Sequence, residues 1–323
     1  MRERESIGFG SEADMAMIAT LTMNPTIDAA YAVPRVRHTH KVRTHGEHYD
    51  PGGGGINVAR VVSRLGGMAR AIYLAGGATG AALDGLVDSH EIARTRIPIK
   101  AHSRISVSIF EEESGKEYRF VPPGPMVADE EWQACLSHLA GISCDYIVMS
   151  GSLPQGVPGD FYARAGAVMT ARGALVVLDS SGEGLRQGLE AGGVHLVKPS
   201  LGELRALVGA PLEGIGAIGA AALDIVRQGK AAHVVVSMGH EGALLAFAER
   251  IVHLPAVPVE ARSAVGAGDS FVAAMTFAMA HGIDAVQAFR YGIAAGAAAV
   301  LTPGTDLCHK ADVDRLHREV AAA

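Results

Sequence analysis

The sequence predicts an α/β protein: a doubly wound, mainly parallel sheet flanked by helices, carrying a small β lid. Three observations lead there. Short apolar segments, each followed by Gly, Ser or Pro, recur along the chain, and uniformly apolar runs imply strands buried on both faces of a sheet. Helical patterns fill the gaps, and strands alternating with helices imply parallel pairing through right-handed crossovers. Two polar, extended stretches, 29–50 and 98–123, interrupt the alternation and read as insertions.

Taken in order, residues 1–16 lack the apolar run of a secretory signal and read as a disordered extension, with a start at Met15 or Met17 as an open alternative. The folded domain is expected over 17–317. Strands are predicted at 17–23, 69–74, 145–149, 174–179, 194–197 and 233–237. Helices are predicted at 56–65, 80–88, 129–140, 159–171, 201–208, 215–228 and 269–281, and the Ala-rich 291–301 reads as a further buried helix. Within the second insertion, 105–110 and 116–121 flank Ser114-Gly115 and read as a hairpin. A lid this small is marginal alone, so it is expected to pair with a second copy as a homodimer. No fixed internal period is present.

Composition narrows the function classes. The chain of 323 residues carries 28 basic and 34 acidic residues, a net charge of −6. That balance argues against a nucleic-acid partner, which usually requires a basic surplus or stripe. No uncharged apolar run of ~18 residues suggests a membrane span. Cys135, Cys144 and Cys308 form no CxxC pair, and the simplest reading is a reduced, cytoplasmic protein. The 40 glycines are clustered rather than periodic, which marks places where backbone turns sharply or approaches a ligand.

Two clusters carry chemistry. Pro51-Gly52-Gly53-Gly54-Gly55-Ile56-Asn57 precedes a helical pattern, so its amides and the helix N-terminus favour anionic or strongly hydrogen-bonding groups. It is neither GxGxxG after an apolar strand nor GxxxxGK[ST], so a dinucleotide fingerprint and a Walker loop are both excluded. Val265-Gly266-Ala267-Gly268-Asp269-Ser270 opens a very apolar helix. The amides of Gly266, Ala267 and Gly268 suit an anion hole for a transferring phosphoryl group. Asp269 suits a general base; a plain helix cap is the alternative the four residues leave open.

VGAGDSF, NPTID (24–28) and PGGGGINVAR (51–60) together resemble the phosphofructokinase-B carbohydrate kinases of the ribokinase-like superfamily, over roughly 17–317. Further motifs in the same order, AGGATG, SGSLP, LDSSGE and VVVS, resemble the minor type of 6-phosphofructokinase branch. Gly54 stands where the 1-phosphofructokinase and tagatose-6-phosphate kinase branches usually carry Lys. The resemblance implies transfer of the γ-phosphoryl group of ATP, with Mg²⁺, to fructose 6-phosphate. Those two other branches are alternative substrate classes, and a non-catalytic sugar-phosphate sensor is a further alternative.

The resemblance also implies roles. Asp28, Gly53, Gly54, Asn57 and Ser152 match sugar contacts, and Arg104 matches a residue holding the substrate's phosphate. Lys41 and Arg43 match basic lid residues reaching the phosphate from a partner subunit. Lys198, Ser237, Gly239, Gly242, Ala299 and Thr302 match the nucleotide side, the last two in an apolar adenine slot. Glu203 and Asp179 match residues that organise Mg²⁺, and some members hold K⁺ on backbone carbonyls nearby. Two positions depart from the pattern: Ser200 replaces Asn, and Ala264 replaces Thr before VGAGD. The four lid histidines, His38, His40, His45 and His48, lack metal-ligand spacing and read as lid surface.

Overall fold

The computed structural model describes residues 16–322; the extension expected over 1–16 falls, but for Ala16, outside them. The chain runs β1 (Met17–Thr22), β2 (Thr26–Val33), β3 (His45–Gly52), α1 (Gly54–Arg64), β4 (Met68–Gly76), α2 (Gly77–Ser89), β5 (Ala93–Ile99), β6 (Arg104–Glu111) and β7 (Lys116–Phe120). It continues through α3 (Asp129–Leu139), β8 (Tyr146–Ser150), α4 (Phe161–Thr170), β9 (Leu175–Asp179), α5 (Gly182–Glu190), β10 (Val194–Val197), α6 (Leu201–Val208), α7 (Gly214–Arg227) and β11 (Ala231–Ser237). The hairpin β12 (Ala243–Phe247) and β13 (Arg250–Leu254) leads to α8 (Ala267–Ala280), α9 (Ala285–Ala299) and α10 (Lys310–Ala322).

The main sheet has nine strands in the order β13-β12-β11-β10-β9-β8-β1-β4-β5. The strands from β11 to β5 in that order pair in parallel, and the β12–β13 hairpin adds an antiparallel edge. Alternate strand residues feed opposite faces. Ile147 and Met149 of β8 join the core under α3 to α7, while Tyr146 and Val148 join the core under α1, α8, α9 and α10. Chain order changes direction at β1, which lies between β8 and β4. Such a switch point opens a crevice beyond the strands' carboxyl ends.

A second sheet of four strands, β3-β2-β6-β7, is built from the two insertions. Its hairpin β6–β7 pairs Val107 with Phe120 and Glu111 with Lys116. The lid begins at Thr26, earlier than the patterning placed it, because β2 follows β1 almost directly.

The edge elements were not anticipated. β5 reads ARTRIPI, alternating charge with apolar residues as an edge strand does when one side meets solvent, and Pro is tolerated there. Arg94 and Arg96 pair with Asp88 and Asp84 of α2. No helix among the described residues is long and apolar enough to cross a membrane.

Candidate active site

The switch point gathers the predicted residues at one edge. Asn24 follows β1, Ser152 follows β8, Asp179 ends β9, Lys198 follows β10 and Ser237 ends β11. The N-termini of α1 and α8 meet there, since these helices pack against each other. Gly53 caps α1 with φ 107°, a conformation that favours glycine; a Cβ there would lie 2.7 Å from Thr22 Cγ2.

Asp269 sits in the first turn of α8, whose cap Gly266 is left-handed. Ala267 and Gly268 thus present amides without intrahelical partners. Asn57 donates from Nδ2 to Asp269 Oδ2 at 2.9 Å. The Asp269 carboxyl is raised to about 6, chiefly by burial and also by Asp179 and Asp28, against the pull of the Asn57 hydrogen bond and Lys198. Asp28 is likewise raised to about 6, first by burial and also by Asp50, against the pull of Arg119, Arg104 and Arg60. Two carboxyls poised near 6 at one crevice are the pattern expected of acid–base or hydroxyl-binding groups.

The lid cations divide into tied and free. Arg104 donates from its two terminal nitrogens to Pro122 O at 2.9 Å and Asn24 O at 2.7 Å, and its buried Nε has no partner. It therefore ties the lid to the loop after β1 while its charge lowers the pKa of Asp28. Arg119 of β7 exerts the larger pull on Asp28 and is exposed. Lys41 and Arg43 are exposed in the β2–β3 connection, with no hydrogen bond or ion pair among the described residues. Asn24 links the two sides, donating to Pro123 O at 3.0 Å and Ser152 Oγ at 3.2 Å.

On the other side, Lys198 Nζ lies 3.2 Å from Asp179 Oδ1, both largely buried. Burial works against the lysine's charge, but Asp179, Asp269 and Glu203 outweigh it and its pKa is raised. A Cβ on Gly268 would stand 3.3 Å from that Nζ, so the lysine and the glycine turn share one spot. Glu203 Oε2 accepts from Ser200 N and Oγ, both at 2.8 Å, closing a capping box at the start of α6. Ser200, the departure from Asn, thus serves as an N-cap. Ser237 bridges to Ser200, and Gly239 and Gly242 shape the turn between β11 and β12.

Two expectations fail on geometry. Ala299 is fully buried in the core, so it offers no face to a nucleotide; Gly296, Ala297 and Val300 are the partly exposed residues near it. The Thr302 hydroxyl donates to Ala299 O at 2.7 Å and lies 2.9 Å from Asp306 O. It closes the end of α9 rather than facing a ligand.

A family model described as "pfkB family carbohydrate kinase" matches residues 20–312. The chain belongs to the PfkB family of carbohydrate kinases. This PfkB chain is 44% identical over 307 residues to a Mycobacterium tuberculosis protein named ATP-dependent 6-phosphofructokinase isozyme 2, covering 94% of this chain and 90% of that one. Phosphofructokinase-2 of Escherichia coli, crystallised with potassium, superposes with a TM-score of 0.91 at 38% identity, covering 95% of this chain and all of that one. The same enzyme with fructose 6-phosphate gives 0.89 at 37% identity, with the same coverage.

One position of the PfkB glycine run is testable at once. A Cβ at Gly54 would run into Ser150 Oγ and stand 3.2 Å from Asp269 Oδ1. A side chain there intrudes directly before the carboxylate. Gly54→Lys is expected to lower kcat/KM for the PfkB substrate about 100-fold, the scale of a 1 Å misplacement, with a lower Tm from overpacking against the buried Ser150. Unchanged steady-state kinetics would refute the close approach.

Proposed function

We propose that the protein transfers the γ-phosphoryl group of ATP to the 1-hydroxyl of fructose 6-phosphate. The observation that carries this reading is Asp269. It is a carboxylate held by Asn57 at the N-terminus of α8, beside Lys198 on one side and Asp28 on the other. The sugar lies between Asp28, the glycine run and the lid. Asp269 accepts the hydroxyl proton as the phosphoryl group arrives, and the amides of Gly266, Ala267 and Gly268 hold its equatorial oxygens. Lys198 meets the ATP phosphates, and the turn of Ser237, Gly239 and Gly242 receives the nucleotide. Arg104 and Arg119 supply the positive field beside Asp28 for the phosphate already on the sugar. Lys41 and Arg43 extend that field from a partner subunit paired through the lid, whose Ile105, Phe110 and Phe120 are exposed.

The donor set fits magnesium. Among the described residues Glu203 Oε1 and Asp179 Oδ2 keep no hydrogen bond, and burial together with repulsion from Glu203 raises the Asp179 pKa, a penalty a cation relieves. Among the described residues no group of three or more His, Cys, Asp or Glu is arranged to hold a metal ion by itself. Magnesium is usually held by nucleotide phosphates and one or two carboxylates, which Glu203 and Asp179 would supply. When bound, magnesium offsets phosphate charge. Potassium binding, as in the potassium-bound relative, is part of the same reading.

A coupled ADP-release assay tests it, with fructose 6-phosphate, fructose 1-phosphate, tagatose 6-phosphate and ribose as acceptors. Preference for fructose 6-phosphate is expected. Preference for another sugar would change the substrate, and sugar-phosphate binding without ADP would mark a sensor. The pH profile adds a second check. Asp269 and Asp28 must both be ionised, and both are raised to about 6. kcat/KM should therefore be full above that value and fall as pH drops through it, more steeply than one ionisation allows. A flat profile down to pH 5 would remove both assignments.

A further inference from the structure

A buried network outside the reacting groups runs from the lid to the base. Asp50 in β3 and Arg60 in α1 are each 2% exposed, with Arg60 Nη2 2.6 Å from Asp50 Oδ1. Arg60 Nη1 donates to Pro51 O at 3.2 Å and to Asn57 Oδ1 at 3.4 Å. Asp50 Oδ2 accepts from Thr305 Oγ1 at 2.6 Å, and His48 Nε2 lies 3.0 Å away. His90, at the end of α2, lies 3.6 Å from Asp50 Oδ1. Asp50 thus joins four elements: the lid strand, the helix carrying Asn57, the end of α2 and the loop that follows α9.

Asn57 stands between two charges of opposite sign. Its amide donates to Asp269 on one side and accepts from Arg60 on the other. Turning the amide over would set its oxygen against the Asp269 carboxylate and its NH₂ against the guanidinium, two repulsive contacts in place of two attractive ones. Without Arg60, only half of that selection remains.

We propose that Arg60 and Asp50 are positioning residues for phosphoryl transfer: acting through Asn57, they fix the donor that orients Asp269, and through Thr305 they tie it to the 303–308 loop. The inference rests on the phosphoryl-transfer reading above. The groups facing Asp269 are Asn57, Lys198, Asp179 and Asp28, and Arg60 reaches it only through Asn57.

The test is a cycle between Asp50→Asn/Arg60→Met, which removes the buried charges as a pair and leaves no lone ion, and Asn57→Ala. The first readout needs no turnover: carboxyl-¹³C NMR titration of Asp269 in the full enzyme, assigned by the signal missing in Asp269→Asn. In Asp50→Asn/Arg60→Met the midpoint should rise by about half to one pH unit, since a donor to the charged form is lost. kcat should fall roughly tenfold while KM for the sugar stays within about threefold, because a base that is merely misoriented still binds substrate. Asn57→Ala should do the same, and the triple variant should be no worse than Asn57→Ala. A wild-type titration and kcat in Asp50→Asn/Arg60→Met overturn the relay and leave the reaction standing, as do losses that simply add. A wild-type enzyme that titrates normally but releases no ADP with any of the sugars overturns the reaction, and the relay's purpose with it.

Discussion

Asp269→Asn is expected to lower kcat by about 10²- to 10⁴-fold, the usual contribution of a positioned general base, with KM for the sugar phosphate within a few-fold. The amide is isosteric with the carboxylate and its oxygen still accepts from Asn57, so the local geometry survives and only the basicity goes. The same change should raise stability. The Asp269 carboxyl is raised to about 6 in the fold and is ordinary when unfolded. The folded state therefore holds its proton longer, and stability is lost as pH climbs from the unfolded pKa to about 6. A neutral amide avoids that loss, a gain of order 1–3 kcal/mol at pH 8 after discounting for partial exposure, read as a rise in Tm of several degrees. A large fall in kcat beside a higher Tm separates lost chemistry from lost folding. Near-normal turnover would end the base assignment. Lost turnover with a lowered Tm would make Asp269 a structural cap instead.

What the sequence disclosed follows from how local each signal is. The central strands were legible because burial on both faces leaves apolar runs such as Val176 to Leu178. The edge strands β5 and β13 were not, because an edge strand shares its mix of charged and apolar residues with a loop, and β12 (ALLAF) is a five-residue apolar run too short to tell from a helix segment. α5 and α10 are short or polar-faced and hid among turn residues. In the site, Asp28, Asn57 and Asp269 were legible since each lies in a glycine- or proline-marked motif that ends at the switch point. Ala299 and Thr302 were misplaced because an Ala-rich helix looks the same whether it lines a pocket or fills a core. Arg104 was assigned from the family resemblance, which does not reveal that its guanidinium also ties the lid to Pro122 O and Asn24 O. The Asp50–Arg60–Thr305 network was beyond reading, because its members lie 10 and 255 positions apart and only the fold brings them together.

Lys198→Met carries the largest expected effect on stability. The lysine is one half of a buried pair with Asp179, and its charge opposes three carboxylates, Asp179, Asp269 and Glu203. Removing one partner of a buried pair leaves the other desolvated, a cost of about 3–5 kcal/mol. Burial already raises the Asp179 pKa, and Lys198 is what pulls it down, so in the variant it rises further. The sign is then fixed. The folded state binds a proton that the unfolded state has released, and stability falls as pH rises above the unfolded carboxylate pKa. Lys198→Met should therefore unfold at a lower temperature at pH 8 than at pH 5, the deficit from wild type widening with pH. Asp179→Asn added to it neutralises the remaining partner and should restore much of the Tm. It should not restore turnover, since on the proposed roles both the cation beside the 266–268 amides and a magnesium-holding carboxylate are then missing. Thermal unfolding across pH 5–8 and ATP kinetics on both variants decide the matter. An unchanged Tm in Lys198→Met would show that the pair contributes nothing to the fold, and a double variant with wild-type turnover would remove Lys198 from the chemistry.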